Sequence, residues 1–105
     1  MIEVHVSYDL VSGVDGKAYE GWMKRAIVPV LKSEGIIEVR AYRNKLGSPQ
    51  VLVVMVWKNL AGWARLAEGS EWEALINELR SSLATHLNID IWGPSPVVPE
   101  PVHPK

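Results

Sequence analysis

Residues 59–84 constrain the fold of this chain more than any other part of it. An apolar run at 51–57, ending in Trp57-Lys58-Asn59, is followed by a short helical stretch with Trp63, Leu66 and Ala67 on one face. A break at Gly69 comes next, and then Ser70-Glu71-Trp72-Glu73. Ser70 and Glu73 have the spacing of a capping box, in which a hydroxyl and a carboxylate satisfy backbone donors reciprocally at a helix start. The spacing beyond them predicts a longer helix with Trp72, Leu75, Ile76, Leu79 and Leu83 on one stripe. Leu87, Ile89 and Ile91 then alternate with Asn88 and Asp90 as a strand at 87–92. Strand, short helix, capped long helix and strand make one strand-helix-strand unit.

The first half of the chain supplies the other. Ile2, Val4 and Val6 alternate with Glu3, His5 and Ser7, the period-two pattern of a strand with one apolar face. Gly13 to Gly16 interrupts it, and Asp15 is placed to cap a helix bearing Tyr19, Trp22, Met23, Ala26, Ile27, Val30 and Leu31. Pro29 lies inside that stripe and should kink it, and Gly35 reads as the residue just past the helix end. Ile37, Val39 and Ala41 alternate with Glu38, Arg40 and Tyr42 as a second strand, and residues 44–50, with Gly47 and Pro49, form a turn. The third strand, 51–58, is apolar on both faces and belongs in the middle of the sheet.

Two right-handed strand-helix-strand units in 105 residues predict an α+β fold, a ferredoxin-like βαββαβ sandwich. Its four-stranded antiparallel sheet would run in the order 4-1-3-2 with both helices on one face. The second sheet face is polar at its edges but apolar along strand three, so pairing of two such sheets in a homodimer is expected to cover it. The domain spans residues 1–92; residues 93–105 carry Pro94, Pro96, Pro99, Pro101 and Pro104 and form an extended tail, read as a strap across a partner subunit.

Lys+Arg of 11 against Asp+Glu of 12 leaves no basic footprint for nucleic acid or an anionic membrane. Zero cysteines exclude disulfides and thiolate chemistry and suit a reducing cytoplasm. No apolar stretch approaches the ~20 residues that span a bilayer, and no basic segment with an apolar run opens the sequence, so a cytoplasmic location is expected. The three histidines have no carboxylate at metal-ligand spacing, so no metal is expected, and no cofactor is expected either. An RNA-recognition module shares this topology, but residues 51–56 contain neither the aromatic nor the glycine that base stacking needs there.

Val56-Trp57-Lys58-Asn59, Trp63 six residues beyond Trp57, and Ser70 followed by Trp72 together resemble the dimeric α/β-barrel superfamily, and within it the antibiotic-biosynthesis-monooxygenase-like domains. The resemblance covers residues 1–92 and implies a homodimer in which two sheets form a barrel and each subunit holds a small-molecule pocket between sheet and helices. Heme-degrading members combine an asparagine, a tryptophan and a histidine; the matching positions here are Ser7, Leu66 and Ile76, which argues against heme chemistry. Cofactor-free quinone-forming members resemble the chain at Trp57, but their strand-three asparagine falls on Val53.

Candidate site residues follow from the polar sheet face and the tryptophans. Strands one and four are neighbours in the expected order, so His5 and Asp90 form a candidate catalytic pair, the carboxylate fixing the tautomer of the imidazole. Ser7, Tyr42, Trp57 and Trp63 are candidate ligand-binding residues, Trp57 from its place at a strand end and Trp63 although its helical spacing also suits a core position. If Ile2, Val4 and Val6 meet the helices, His5 lies on the opposite, dimer-facing side. The function expected is a homodimeric small-molecule-binding domain, a cofactor-free monooxygenase or isomerase on an aromatic substrate; the alternative is a non-catalytic ligand sensor or structural dimer.

Overall fold

A computed structural model describes residues 1–105. The elements run β1 (Ile2–Leu10), α1 (Gly16–Lys32), β2 (Ile36–Arg43), β3 (Val51–Trp57), α2 (Leu60–Ala67), α3 (Ser70–Glu78) with a π-helical turn over Leu79–Leu83, and β4 (Ala84–Trp92). The strands form one antiparallel four-stranded sheet in the order β2-β3-β1-β4, the expected 4-1-3-2 read from the other edge. The chain therefore has the α+β, ferredoxin-like architecture that its two repeated units imply.

Alternation along β1 sorts the sheet into two faces. Val4, Val6 and Tyr8 are buried beneath the helices with Val51, Met55 and Trp57 of β3. Register puts Glu3, His5 and Ser7 on the other face, opposite Val56, Val54 and Leu52 of β3 and Trp92, Asp90 and Asn88 of β4. Glu38, Arg40 and Tyr42 of β2 join them there. Val54 is only 9% exposed on this uncovered face, and Leu52 and Val56 flank it in a short apolar stripe. Ile89 and Ile91 of β4 pair with Val6 and Val4 and so share the helix-facing side of the sheet, yet both are exposed.

Local chemistry fixes the element ends. Asp15 caps α1, its carboxylate accepting from Lys17 N–H at 3.0 Å. The helix continues through Pro29 to Lys32, and Gly35, at φ +94°, turns the chain into β2. Asn59 caps α2 by accepting from Gly62 N–H at 3.1 Å, a side-chain cap the sequence reading passed over. The capping box does not form: Gly69 is the cap residue of α3 and Ser70 is already helical, without a side-chain capping bond. Only Glu68 and Gly69 separate the two helices, and the one extended residue between them, Gly69 at φ −75° and ψ 146°, takes the cap position one residue before the serine. Trp72, Leu75, Ile76, Leu79 and Leu83 are all buried as the stripe requires, whereas Leu31, expected on the stripe of α1, is 58% exposed.

Strand β4 begins at Ala84, three residues earlier than the alternation suggests. A bulge between the pairs Ser7–Asn88 and Asp9–Thr85 places His86 at φ +54°, breaking the period from which the strand start was read. The tail beyond Trp92 has no regular structure and is exposed throughout; its Ser95 hydroxyl accepts from the N–H groups of Val97 and Val98. No helix is long and apolar enough to cross a membrane.

Candidate functional site

Between the helix-facing side of the sheet and helices α1 and α3 lies a cavity of about 150 Å³ whose 13 lining residues are all hydrophobic. Val6 and Tyr8 of β1, Val53 and Met55 of β3, and Val39 and Ala41 of β2 form its floor. Trp22, Met23 and Ala26 of α1 and Trp72 and Ile76 of α3 contribute to its roof. The volume matches a single aromatic ring or a compact aliphatic group. Ala41 is exposed, so the cavity reaches solvent along β2.

Aromatic packing sets the shape of the walls. Trp22 is held by its Nε1–H, which donates to the Leu75 carbonyl at 2.8 Å and ties α1 to α3. Tyr19 stacks on Trp22 with centroids 6.2 Å apart, and Trp63 meets Trp72 edge-on at 5.5 Å. At the β1 C-terminal end of the cavity, the hydroxyls of Tyr8 and Tyr19 share a hydrogen bond of 2.5 Å. The Arg43 guanidinium lies over the Tyr19 ring, 5.9 Å from its centroid. Burial, together with the bond to Tyr19, pushes the Tyr8 phenol far above its ordinary pKa, so it stays protonated across the physiological range. The cavity wall thus offers one phenol hydroxyl, that of Tyr8, and no base.

The residues singled out in the sequence divide between the two sheet faces. His5 and Asp90 are register partners, but His5 Nε2 bonds Glu3 Oε1 at 2.9 Å and Asp90 accepts from Asn88 Nδ2 at 2.8 Å, so the imidazole and Asp90 carboxylate turn to different neighbours. Ser7 and Tyr42 share the uncovered face with them. Trp57 and Trp63 are buried on the helix side, in edge contact at 6.2 Å, and the cavity lining includes neither. Trp57 Nε1 is the one buried side-chain polar atom without a hydrogen-bond partner. Val53 and Ile76 both line the cavity.

Tyr19 and Arg43 went unnoticed in the sequence. Tyr19 shows only as a stripe residue of α1, and Arg43 lies beyond the alternating segment of β2. Groups of three or more histidine or acidic side chains that could hold a metal ion are absent.

No family model matches the chain, and no curated protein sequence matches it. Solved structures do. SnoaB, a cofactor-independent oxygenase from Streptomyces nogalater, superposes with a TM-score of 0.75 at 13% identity, over 94% of this chain and 97% of that one. A candidate antibiotic biosynthesis monooxygenase from Nitrosomonas europaea gives 0.71 at 13% identity, over 89% and 97%. A dimeric protein of unknown function with a ferredoxin-like fold, from Bacteroides fragilis, gives 0.62 at 13% identity, over 87% and 93%. The resemblance noted from the sequence holds at the level of fold: this chain has the ferredoxin-like fold of the antibiotic-biosynthesis-monooxygenase-like proteins.

Proposed function

We propose that this protein is a homodimeric domain that binds a small aromatic or otherwise hydrophobic molecule in the cavity between its sheet and its helices. The observation that carries the reading is the cavity itself, about 150 Å³ and lined by 13 hydrophobic residues, with Trp22 and Trp72 in its roof. A void that size in a core of this quality is costly to leave empty, and its dry wall favours an apolar occupant. The test is a tryptophan-fluorescence titration of the purified protein with benzene-sized and bicyclic aromatics. Saturable quenching, abolished when Val53→Phe fills the cavity, is the expected result. No saturable response, or one that Val53→Phe leaves intact, would overturn the reading.

Two uses of the bound molecule are open to this site. In the enzymatic one, cofactor-independent oxygenation as named for SnoaB, the substrate's own electrons would reduce oxygen, since such a reaction draws none from a cofactor, and the substrate would have to ionise without a base from the wall. The second reading, a non-catalytic ligand sensor, is favoured by that same absence of an acid-base pair beside the cavity. Oxygen consumption by the protein with a ligand that quenches its fluorescence separates the two.

Self-association rests on the other sheet face. Leu52, Val54 and Val56 form an apolar stripe there, bordered by Glu38 and Arg40 on β2 and by Glu3 and His5 on β1. A second copy laid face to face would cover the stripe and leave the charged rims to pair. Light scattering that showed only monomer at micromolar concentration would sink this part of the proposal.

A further inference from the structure

Polar groups flank one end of the apolar cavity without lining it, and among them is a positive charge. Tyr8 lines the cavity, and its hydroxyl bonds that of Tyr19. Two hydroxyls that share one hydrogen bond use one of their two protons in it, and the other is left to donate outward. Arg43 stands over the Tyr19 ring. It follows Ala41, a cavity-lining residue, by two positions on β2, which places both on the same side of the strand. Arg43 takes part in none of the ion pairs of the structure.

The acidic groups nearest in sequence to these elements are already engaged. Asp9 accepts from Ser48 Oγ and Gln50 N–H, Asp15 caps α1, and Glu20 pairs with Lys24. A guanidinium fork over an aromatic ring, with hydroxyl donors beside it, suits a planar anion approached through two parallel hydrogen bonds.

Building on the proposal that the cavity binds a small molecule, we infer that its ligand is an amphipathic carboxylate: an aromatic or short aliphatic body inserted among Trp22, Val53 and Met55, with the carboxylate held at the Tyr8–Tyr19–Arg43 end. Arg43 and Tyr19 are then the residues that set specificity, while the apolar wall supplies affinity without discriminating between acids, esters and alcohols. The interaction sits near the surface, so it weakens with rising ionic strength.

The test compares 3-phenylpropanoate with 3-phenylpropanol, two molecules of the same body and different head, by tryptophan fluorescence and calorimetric titration. The wild-type protein should bind the carboxylate at least tenfold more tightly than the alcohol. Arg43→Gln should erase that preference while changing the Kd of the alcohol less than twofold, Arg43→Lys should keep part of it, and Tyr19→Phe should reduce it. Arg43 is exposed, so these substitutions leave the melting temperature as an independent check on folding. Equal binding of the two ligands by the wild type, or an equal loss of both in Arg43→Gln, overturns the carboxylate assignment and leaves the cavity reading standing. Binding of neither ligand overturns the cavity reading and the assignment with it.

Discussion

Trp22 and Trp57 both lie in the helix-facing core, yet Trp22 Nε1–H donates to the Leu75 carbonyl at 2.8 Å whereas Trp57 Nε1–H has no partner. A buried donor left unpaired costs about 1–3 kcal/mol, so replacing each indole by a benzyl ring should have unequal effects. Trp22→Phe loses packing and a hydrogen bond; Trp57→Phe loses packing but also removes the orphan. Equilibrium unfolding in denaturant should therefore show Trp22→Phe to be the more destabilising by roughly 1–3 kcal/mol, and equal losses would mean that the Trp57 N–H is satisfied in solution. Gly62 presents a different constraint. A Cβ there would sit 3.0 Å from the Glu34 carbonyl oxygen and 3.1 Å from the Trp57 ring, neither of which is a flexible side-chain end. Gly62→Ala should cost about 1–3 kcal/mol by overpacking, read from the same unfolding curves. Asp9 carries the pH prediction. Its carboxyl is held below the ordinary aspartate range chiefly by the Ser48 hydroxyl, with partial burial opposing and Gln50 N–H and His86 adding to the effect. A depressed folded-state pKa stabilises the fold above the unfolded value of about 3.9 and ceases to do so as pH falls through the folded value. Ser48→Ala should move the Asp9 titration upward in a carbon-detected NMR pH series, and an unchanged midpoint would show that the hydroxyl is not the cause.

At the level of elements, the junction between α1 and β2 depends on Gly35 at φ +94°, whose carbonyl accepts from Lys58 N–H at 2.8 Å. An L-residue in that region pays for the approach of its Cβ to the backbone, about 1–2 kcal/mol, so Gly35→Ala should lower thermal stability although the site has room for a methyl group. The existence and order of the elements were legible because each announces itself over several residues: the alternation of Ile2, Val4 and Val6, the stripe from Trp72 to Leu83, the proline run of the tail. What stayed hidden was set between elements. Ser70 and Glu73 have the capping-box spacing, but the two-residue link to α2 hands the cap to Gly69. The early start of β4 depends on a bulge at His86, a residue that gives no sign of the left-handed backbone it adopts. A pocket between sheet and helices is implied by the family resemblance, but its lining was illegible for another reason. Val6, Val53, Met55 and Ile76 are residues that any close-packed core would also use, and apolar side chains around a void have the same periodicity as apolar side chains around one another. The polar groups at one end of the cavity needed three separate elements, β1, α1 and β2, to bring Tyr8, Tyr19 and Arg43 together.

For the molecule as a whole, the two sheet faces differ, with helices and a cavity on one and an apolar stripe on the other. If a second copy covers that stripe, Val54→Glu at its centre should give a monomer by light scattering with the far-ultraviolet circular dichroism of the parent, because burial of the glutamate in the interface would leave a charge without a partner. A variant that remained dimeric would place the contact elsewhere, at the exposed Ile89 and Ile91 edge or the tail valines. One property of the sheet order reaches beyond the folded state. Strand β1 sits in the interior of the sheet, and both of its neighbours come later in the chain, after β2: Ile2 pairs with Trp57 and Glu3 with Trp92. Its backbone donors and acceptors must wait for β3 and then for β4, so the sheet cannot close until synthesis has passed residue 92, and any nascent or truncated product short of that point exposes an unsatisfied apolar strand as a target for chaperones or proteases.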